Sequence, residues 1–373
     1  MNIELLHTTG IARVDNILRG LIGLFEASFP ARVRCYYLGG SYSDGTAVGD
    51  DQSPNSSDVD LFVIFRDTVG EEEGAAFQRL VAACRLIGST QIDAHAYSED
   101  DLLRGPAPES TQSSFLNALI KVAGIPVYGD DIRAALPDAP FPRYVLDVIE
   151  SGVYALGIPR QRHALAYPLG TSLTPPLAYP DPDGEFYGYD IVSARPDAPR
   201  GSRVLVSIAA WISTLILALE TGRHAGQKSQ SIRLCKEYLP DDRRTRLAAA
   251  INDTCKGEWG YELPEGSEDR ARLRALCQDT LSLENEYLTL CRGYLLAQLE
   301  RGGDGETWQA ARILQSVSYA NDEVVSALTA SERAAGASHS AEATNSIASL
   351  ARGNHPSPDV GSTTSHSFMS RPS

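Results

Sequence analysis

Apolar residues at Ile11, Val14, Ile17, Leu18, Leu21, Ile22 and Phe25 recur three or four positions apart, with Pro30 just beyond. That spacing lays one apolar stripe along a helix. The period then changes. Val33–Leu38 (VRCYYL) is β-branched and aromatic and predicts a strand, Val59–Phe65 (VDLFVIF) a second, and Thr90–Tyr97 (TQIDAHAY) alternates like a third. Glu71–Leu86 returns to helical spacing between the last two. Beyond Ser98, Glu99–Leu103 and Ser114–Val122 read as helices, the latter ended by Gly124–Pro126. Pro, Gly and Tyr crowd the stretch from Ala166 to Pro199, including PPLAYPDPDGEFYGYD, and predict an ordered or semi-ordered connector without regular elements. From Arg203 to Glu300 apolar positions return at helical spacing in Val204–Leu219, Ile232–Leu239, Leu247–Ile251 and Leu273–Leu299. From Ser331 large apolar residues become rare, so that segment cannot offset its ordering entropy and is expected to be disordered.

The expected organisation is therefore an α/β domain over residues 1–135, a connector over 136–202, an all-helical domain over 203–330 and a tail over 331–373. A chain of 373 residues has room for two domains. Its 43% hydrophobic and 22% charged residues are ordinary for a soluble globular protein. The net charge of −15 argues against a polynucleotide partner, whose phosphates call for a basic stripe. Six scattered cysteines (Cys35, Cys84, Cys235, Cys255, Cys277 and Cys291) show no CxxC pair and read as reduced core thiols. The N-terminus lacks a basic start followed by an apolar block, so it does not read as a signal peptide. The longest apolar stretch, Val204 to Leu219, is interrupted by Ser207, Ser213 and Thr214 and reads as too short to span a bilayer. No membrane partner is expected, and the cytoplasm is the expected location.

The candidate chemistry lies between Leu38 and Asp93. The first strand ends in Gly39-Gly40-Ser41; after a polar loop, Ser57-Asp58-Val59-Asp60 opens the second. Residues i and i+2 of a strand share a face, so Asp58 and Asp60 project together while Val59 turns away. Two adjacent carboxylates repel when ionised, and a divalent cation between them resolves the conflict. Magnesium, with its taste for carboxylates and substrate phosphates, suits that pair. Asp93, the lone acid of the third strand, supplies a third carboxylate if its strand lies beside Val59–Phe65. Three acids and two metals about 4 Å apart would then hold a triphosphate and an acceptor oxygen for in-line attack at phosphorus. Glycines at a strand end let backbone N–H groups, with the Ser41 hydroxyl, approach phosphate closely.

The run LGGSYSDGTAVGDDQSPNSSDVDLFVIF resembles the signature of the polymerase-beta-like nucleotidyltransferase superfamily, a GS turn followed by a DxD pair on the next strand. The resemblance implies an α/β core with a mixed sheet, magnesium, and an NTP donor that loses pyrophosphate. By position Gly40 and Ser41 match the GS turn, Asp58 and Asp60 the metal-binding pair and Asp93 the third acid, which in the family helps activate the acceptor hydroxyl. Gly39, from the strand-end turn, joins Gly40 and Ser41 as the expected NTP-binding residues, and Asp58, Asp60 and Asp93 are the expected metal-binding and catalytic acids. Further on, LETGRHAGQKSQSIRLCKEYLP resembles a helical-domain segment of streptomycin/spectinomycin-type aminoglycoside adenylyltransferases. There a lysine after a TGK-like turn contacts the nucleotide phosphates; Lys228 matches it, offset by one residue from Thr221-Gly222.

The expected activity is transfer of an NMP, AMP from ATP foremost, to a hydroxyl of a small molecule such as an aminoglycoside-like antibiotic, with two magnesium ions. A cationic acceptor fits the negative charge of the chain. The GTAV after the GS turn also resembles second-messenger synthetases and toxin-type enzymes that modify tRNA or protein, and a silent NTP-binding module is a third reading. Ordinary roles compete with each assignment. Asp44, Asp50 and Asp51 read as solvated loop acids, since no strand fixes their geometry. His95 shares the face of Asp93 and reads first as a structural histidine; His163 and His224 have no partners at ligand spacing. Trp211 and Trp259 read as core or interface residues. Tyr179, Phe186, Tyr187 and Tyr189 read as side chains that pin the connector before they read as a cleft lining.

Overall fold

The computed structural model describes residues 3–49, 57–86, 90–105, 117–160, 175–191, 200–301, 304–316 and 326–327. The tail from residue 331, Asp50, Asp51, His163 and the start of the predicted helix at Ser114 lie outside them.

The N-terminal unit is a four-stranded mixed sheet with helices on both faces. In chain order it runs α1 (Ala12–Ser28), β1 (Val33–Leu38), a helical turn at Gly40–Ser43, β2 (Val59–Phe65), α2 (Glu71–Arg85), β3 (Ile92–Ser98), α3 (Glu99–Arg104), a π-helical turn at Leu119–Ala123 and β4 (Ile125–Gly129). The strand order is β3-β2-β1-β4. Strand β2 pairs antiparallel with β1 and parallel with β3, and β4 pairs antiparallel with β1. Strand alternation divides the side chains cleanly. Tyr36, Leu38, Leu61, Val63 and Phe65 pack with Leu18, Ile22, Phe25, Phe77 and Val81 of α1 and α2. Cys35, Tyr37, Phe62 and Ile64 face the other way, onto Leu102, Ile120, Ile132 and Leu136. Three of the four strands carry the predicted pattern. The fourth was not predicted, because Pro126 interrupts it; Pro126 opposes Tyr37 of β1 on an edge strand, where a missing N–H is tolerated.

The remaining helices are α4 (Phe141–Gly157), α5 (Arg203–Thr221), α6 (Lys228–Tyr238), α7 (Arg243–Ile251), α8 (Ser267–Arg301) and α9 (Asp304–Ser316). All but α6 share one core, and α6 packs on α5 through Ile232 against Ala210 and Cys235 against Leu217. Helix α4 lies inside the stretch that composition assigns to a connector. Its Tyr144, Val145, Val148, Ile149 and Leu156 recur at helical spacing opposite a polar stripe of Arg143, Asp147 and Glu150, but Pro137, Pro140 and Pro142 crowd its start and read as breakers. Helix α5 is buried on nearly all sides. At 19 residues it is long and apolar enough to cross a membrane, which corrects the expectation that it is too short; 72% of its apolar window is buried inside the protein, as a core helix would be. Phe186 and Tyr189 enter this core, Tyr179 stacks on Tyr187, and Tyr189 donates to buried Glu284 at 3.0 Å, so the aromatic run pins its segment down. All six cysteines are buried free thiols.

Candidate active site

The parallel pairing of β2 with β3 sets Asp60 directly opposite Asp93. Paired residues of neighbouring strands point to the same face, and Asp58 lies two residues before Asp60 on that face. One oxygen from each of Asp58, Asp60 and Asp93 lies within 4.8 Å of the others, all three side chains being partly buried. The strand that begins with these acids continues into the core through Phe62 and Ile64, so the backbone beneath them is rigid.

The two glycines make room for this cluster. The Gly39 amide donates to the Asp60 carbonyl at 2.9 Å, and a side chain at Gly39 would meet Phe62 at 2.3 Å. Gly40 adopts φ +63°, and a Cβ there would stand 1.8 Å from Asp60 Oδ2. Ser41 follows in the helical turn, half-buried beside the acids' strand end.

Electrostatics divide the three acids. Burial, and then the charges of Asp58 and Asp93, raise the Asp60 carboxyl well above the usual range, with Lys228 and Arg203 opposing. Asp93 is held below it, chiefly by a hydrogen bond from His95 and also by Arg85. Arg85 Nη2 donates to Asp93 Oδ1 at 2.8 Å while its Nε donates to the Ile92 carbonyl at 2.7 Å, and His95 Nε2 lies 3.4 Å from Asp93 Oδ2. His95 also stacks on Phe62, so it supports the third acid from its own face of the sheet. The expectation of a merely structural histidine is thereby sharpened: its partner is Asp93.

The helical unit supplies the opposing charge. Lys228, the first residue of α6, feels the carboxylates of both Asp58 and Asp60 and donates to Ser207 Oγ at 3.3 Å. Solvent reaches its side chain, yet the protein crowding around it lowers its ammonium pKa despite those acids. Arg203, at the start of α5, places Nη1 3.9 Å from Asp58 Oδ1 and its guanidinium over the Tyr261 ring. Lys256, buried, donates to Thr46 Oγ1 at 2.7 Å. Burial lowers its ammonium pKa, with Asp44 the first charge to oppose. Sequence reading found Lys228 and missed Arg203, Lys256 and Arg85, because a lone cation at a helix terminus carries no local mark. It also took Asp44 for a solvated acid. Asp44 is exposed, but it accepts hydrogen bonds from Gln227 and Ser229 across the cleft, so its geometry is fixed by the second unit and not by a strand. His224 bonds the Ala139 carbonyl, Trp259 stacks under Arg272 and Trp211 packs against the helical core, all structural roles.

No protein-family model and no curated protein matches the chain. Among solved structures it is similar to spectinomycin adenyltransferase AAD(9) from Enterococcus faecialis, determined with ATP and spectinomycin. The identity is 15% and the TM-score 0.39, over 72% of this chain and 98% of that one. A toxin-antitoxin structure with AMP-PNP is similar at 23% identity and a TM-score of 0.21, over 40% of this chain and 93% of that one. At such TM-scores neither similarity bears on the chemistry, which is argued from the side chains.

Proposed function

We propose that this chain is a metal-dependent nucleotidyltransferase. It moves an NMP, foremost AMP from ATP, to a hydroxyl of a small cationic acceptor, an aminoglycoside-like antibiotic being the leading candidate. The observation that supports it most is the pairing of Asp60 with Asp93 beneath Asp58, opposite cations from a second unit.

The donor set fits magnesium. Three carboxylate oxygens lie within 4.8 Å of one another, and one of the groups, Asp60, resists ionising because its neighbours are acids. A divalent cation in place of that proton would relieve the repulsion. Asp58 and Asp60 would hold two ions, with Asp93 completing one site; bound there, magnesium would neutralise phosphate charge as it develops on the leaving group. Backbone N–H groups of Gly39 and Gly40 and the Ser41 hydroxyl would receive the phosphates, with Lys228, Arg203 and Lys256 closing over them. Asp93, kept ionised by Arg85 and His95, would take the proton of the acceptor hydroxyl. The acceptor oxygen bonds to the α-phosphorus, the bond from that phosphorus to the α–β bridging oxygen breaks, and pyrophosphate leaves with the electron pair. The net charge of −15 favours a cationic acceptor.

The test offers α-labelled ATP and magnesium with a panel of hydroxylated cations. Label should move to an acceptor with stoichiometric pyrophosphate, and Asp60→Asn should lower the rate on the order of 10³-fold. Product formed from NTPs alone would transfer the reading to a nucleotide acceptor. A folded protein that neither binds an NTP with magnesium nor transfers label to any acceptor would end it.

A further inference from the structure

The segment after Ser41 reaches across to the helical unit and grips the start of α6. Asp44 Oδ2 accepts from Gln227 Nε2 at 3.1 Å and from Ser229 Oγ. Asp44 Oδ1 accepts from the Thr46 amide at 3.1 Å and from Thr46 Oγ1 at 2.7 Å. Thr46 Oγ1 in turn accepts from Lys256 Nζ at 2.7 Å, and Ser43 Oγ donates to Gln227 Oε1 at 3.3 Å. The two residues that Asp44 holds in the helical unit flank Lys228 on either side. Gln227 precedes α6 without capping it through its own side chain, so the carboxylate at the positive end of this helix comes from the other unit.

We infer that Asp44 is a positioning residue, which fixes Gln227 and Ser229 so that Lys228 stands toward Asp58 and Asp60 before any nucleotide arrives. Exposed hydrogen bonds are individually weak. Here four converge on one carboxylate and two of them, from Gln227 and Ser229, cross between the units, so their geometric effect exceeds that of an isolated surface pair. The turn before α6 has further anchors: the Ala225 amide donates to Tyr144 Oη at 2.8 Å, and Gly226 lies tight against Ala118 and Ala123. Removing Asp44 therefore loosens the first turn of α6 without unfolding it. The kinetic consequence rests on the proposed function; the grip between the units does not.

The experiment measures amide hydrogen exchange of the nucleotide-free full chain, and KM and kcat for the NTP with magnesium, in Asp44→Ala, Asp44→Asn and Ser229→Ala. In Asp44→Ala, exchange should quicken at Ser231, whose amide closes the first turn of α6 onto the Gln227 carbonyl. The KM should rise by about ten-fold, the scale of losing hydrogen bonds to a charged acceptor, with kcat within about two-fold. Asparagine retains one of the two acceptor oxygens and should recover only part of the KM, and Ser229→Ala should be non-additive with Asp44→Ala. Unchanged exchange and unchanged KM in Asp44→Ala overturn the inference. Quickened exchange in a protein that binds no NTP supports the grip and sinks the proposed function instead. If Asp44→Ala fails to fold, Ser229→Ala takes its place: quickened exchange at Ser231 with a raised KM supports the inference, and no change in either overturns it.

Discussion

Replacing Gly40 with alanine tests whether the turn exists to make room for the acids. The substitution has two separable costs. Gly40 sits at φ +63°, where an L-residue with a Cβ costs about 1–2 kcal/mol. The new Cβ would also stand 1.8 Å from Asp60 Oδ2, where real Cβ contacts stay beyond 3.0 Å, so the carboxylate must move by more than an ångström. Gly222, at the end of α5, separates the two effects: its φ is +68°, and a Cβ there would meet nothing within 4 Å. Gly222→Ala should lose about 1–2 kcal/mol of stability, a few degrees in Tm, and Gly40→Ala at least as much. Gly40→Ala alone should disturb the cluster of Asp58, Asp60 and Asp93. Displacing a metal-holding carboxylate costs about 10–100-fold in metal affinity, so magnesium-dependent binding of a non-hydrolysable NTP analogue, followed by calorimetry, should weaken on that scale. In Gly222→Ala it should stay within about two-fold. Wild-type affinity in Gly40→Ala, or an equal loss in both variants, would refute the reasoning.

Lys228→Ala should raise the Kd of the magnesium–NTP complex about 10–100-fold with little change in Tm, and Lys228→Arg should recover part of it; an unchanged Kd would remove Lys228 from the phosphate site. Asp131 accepts from Tyr37 Oη at 3.1 Å, and chiefly its hydrogen bond from Arg133 holds its pKa down to about 2, against 3.8 for an ordinary aspartate. A depressed carboxylate stabilises the fold above the ordinary value and loses that contribution as pH falls toward the depressed one. The Tm difference between wild type and Asp131→Asn should thus be widest above about pH 4 and narrow between about pH 4 and 2; because the side chain is partly exposed, the difference should be small, and a pH-independent one would contradict the assignment. A Cβ on Gly152 of α4 would lie 2.0 Å from Tyr287 Oη, which donates to the Ile149 carbonyl at 3.1 Å. Gly152→Ala should cost about 1–3 kcal/mol in thermal unfolding while leaving NTP affinity unchanged, and a wild-type Tm would show that the α4–α8 contact is slack.

What the sequence disclosed and what it hid divide along one physical line. Asp58, Asp60 and the glycine turn were legible because strand alternation and the needs of a tight turn are local rules, acting within a few residues. Asp93 required one further assumption, that its strand pairs with β2, and the register Asp60↔Asp93 meets it. Pro126 concealed β4 because a proline in a short apolar run looks like a break unless the strand is known to be an edge. Helix α4 keeps its two-sided pattern, but Pro137, Pro140 and Pro142 at its start look like breakers until the helix is known to begin among them. Arg203, Lys256 and Asp44 obey no local rule at all; each is an ordinary polar side chain until the second unit docks.

That division has a functional reason in the proposed reaction. A sheet carrying Asp58, Asp60 and Asp93 on one face repels a triphosphate as strongly as it attracts magnesium, and a chain with net charge −15 offers no general compensation. The lysines and arginines that face Asp58 and Asp60 stand on neither β2 nor β3. They arrive instead from the starts of α5 and α6 and from the turn after α7, elements far apart in sequence. Selectivity for a metal-bound polyphosphate over a bare cation or a bare anion then depends on how the two units are held together. The bonds that join Asp44 and Thr46 to Gln227, Ser229 and Lys256 tie the units together beside Lys228.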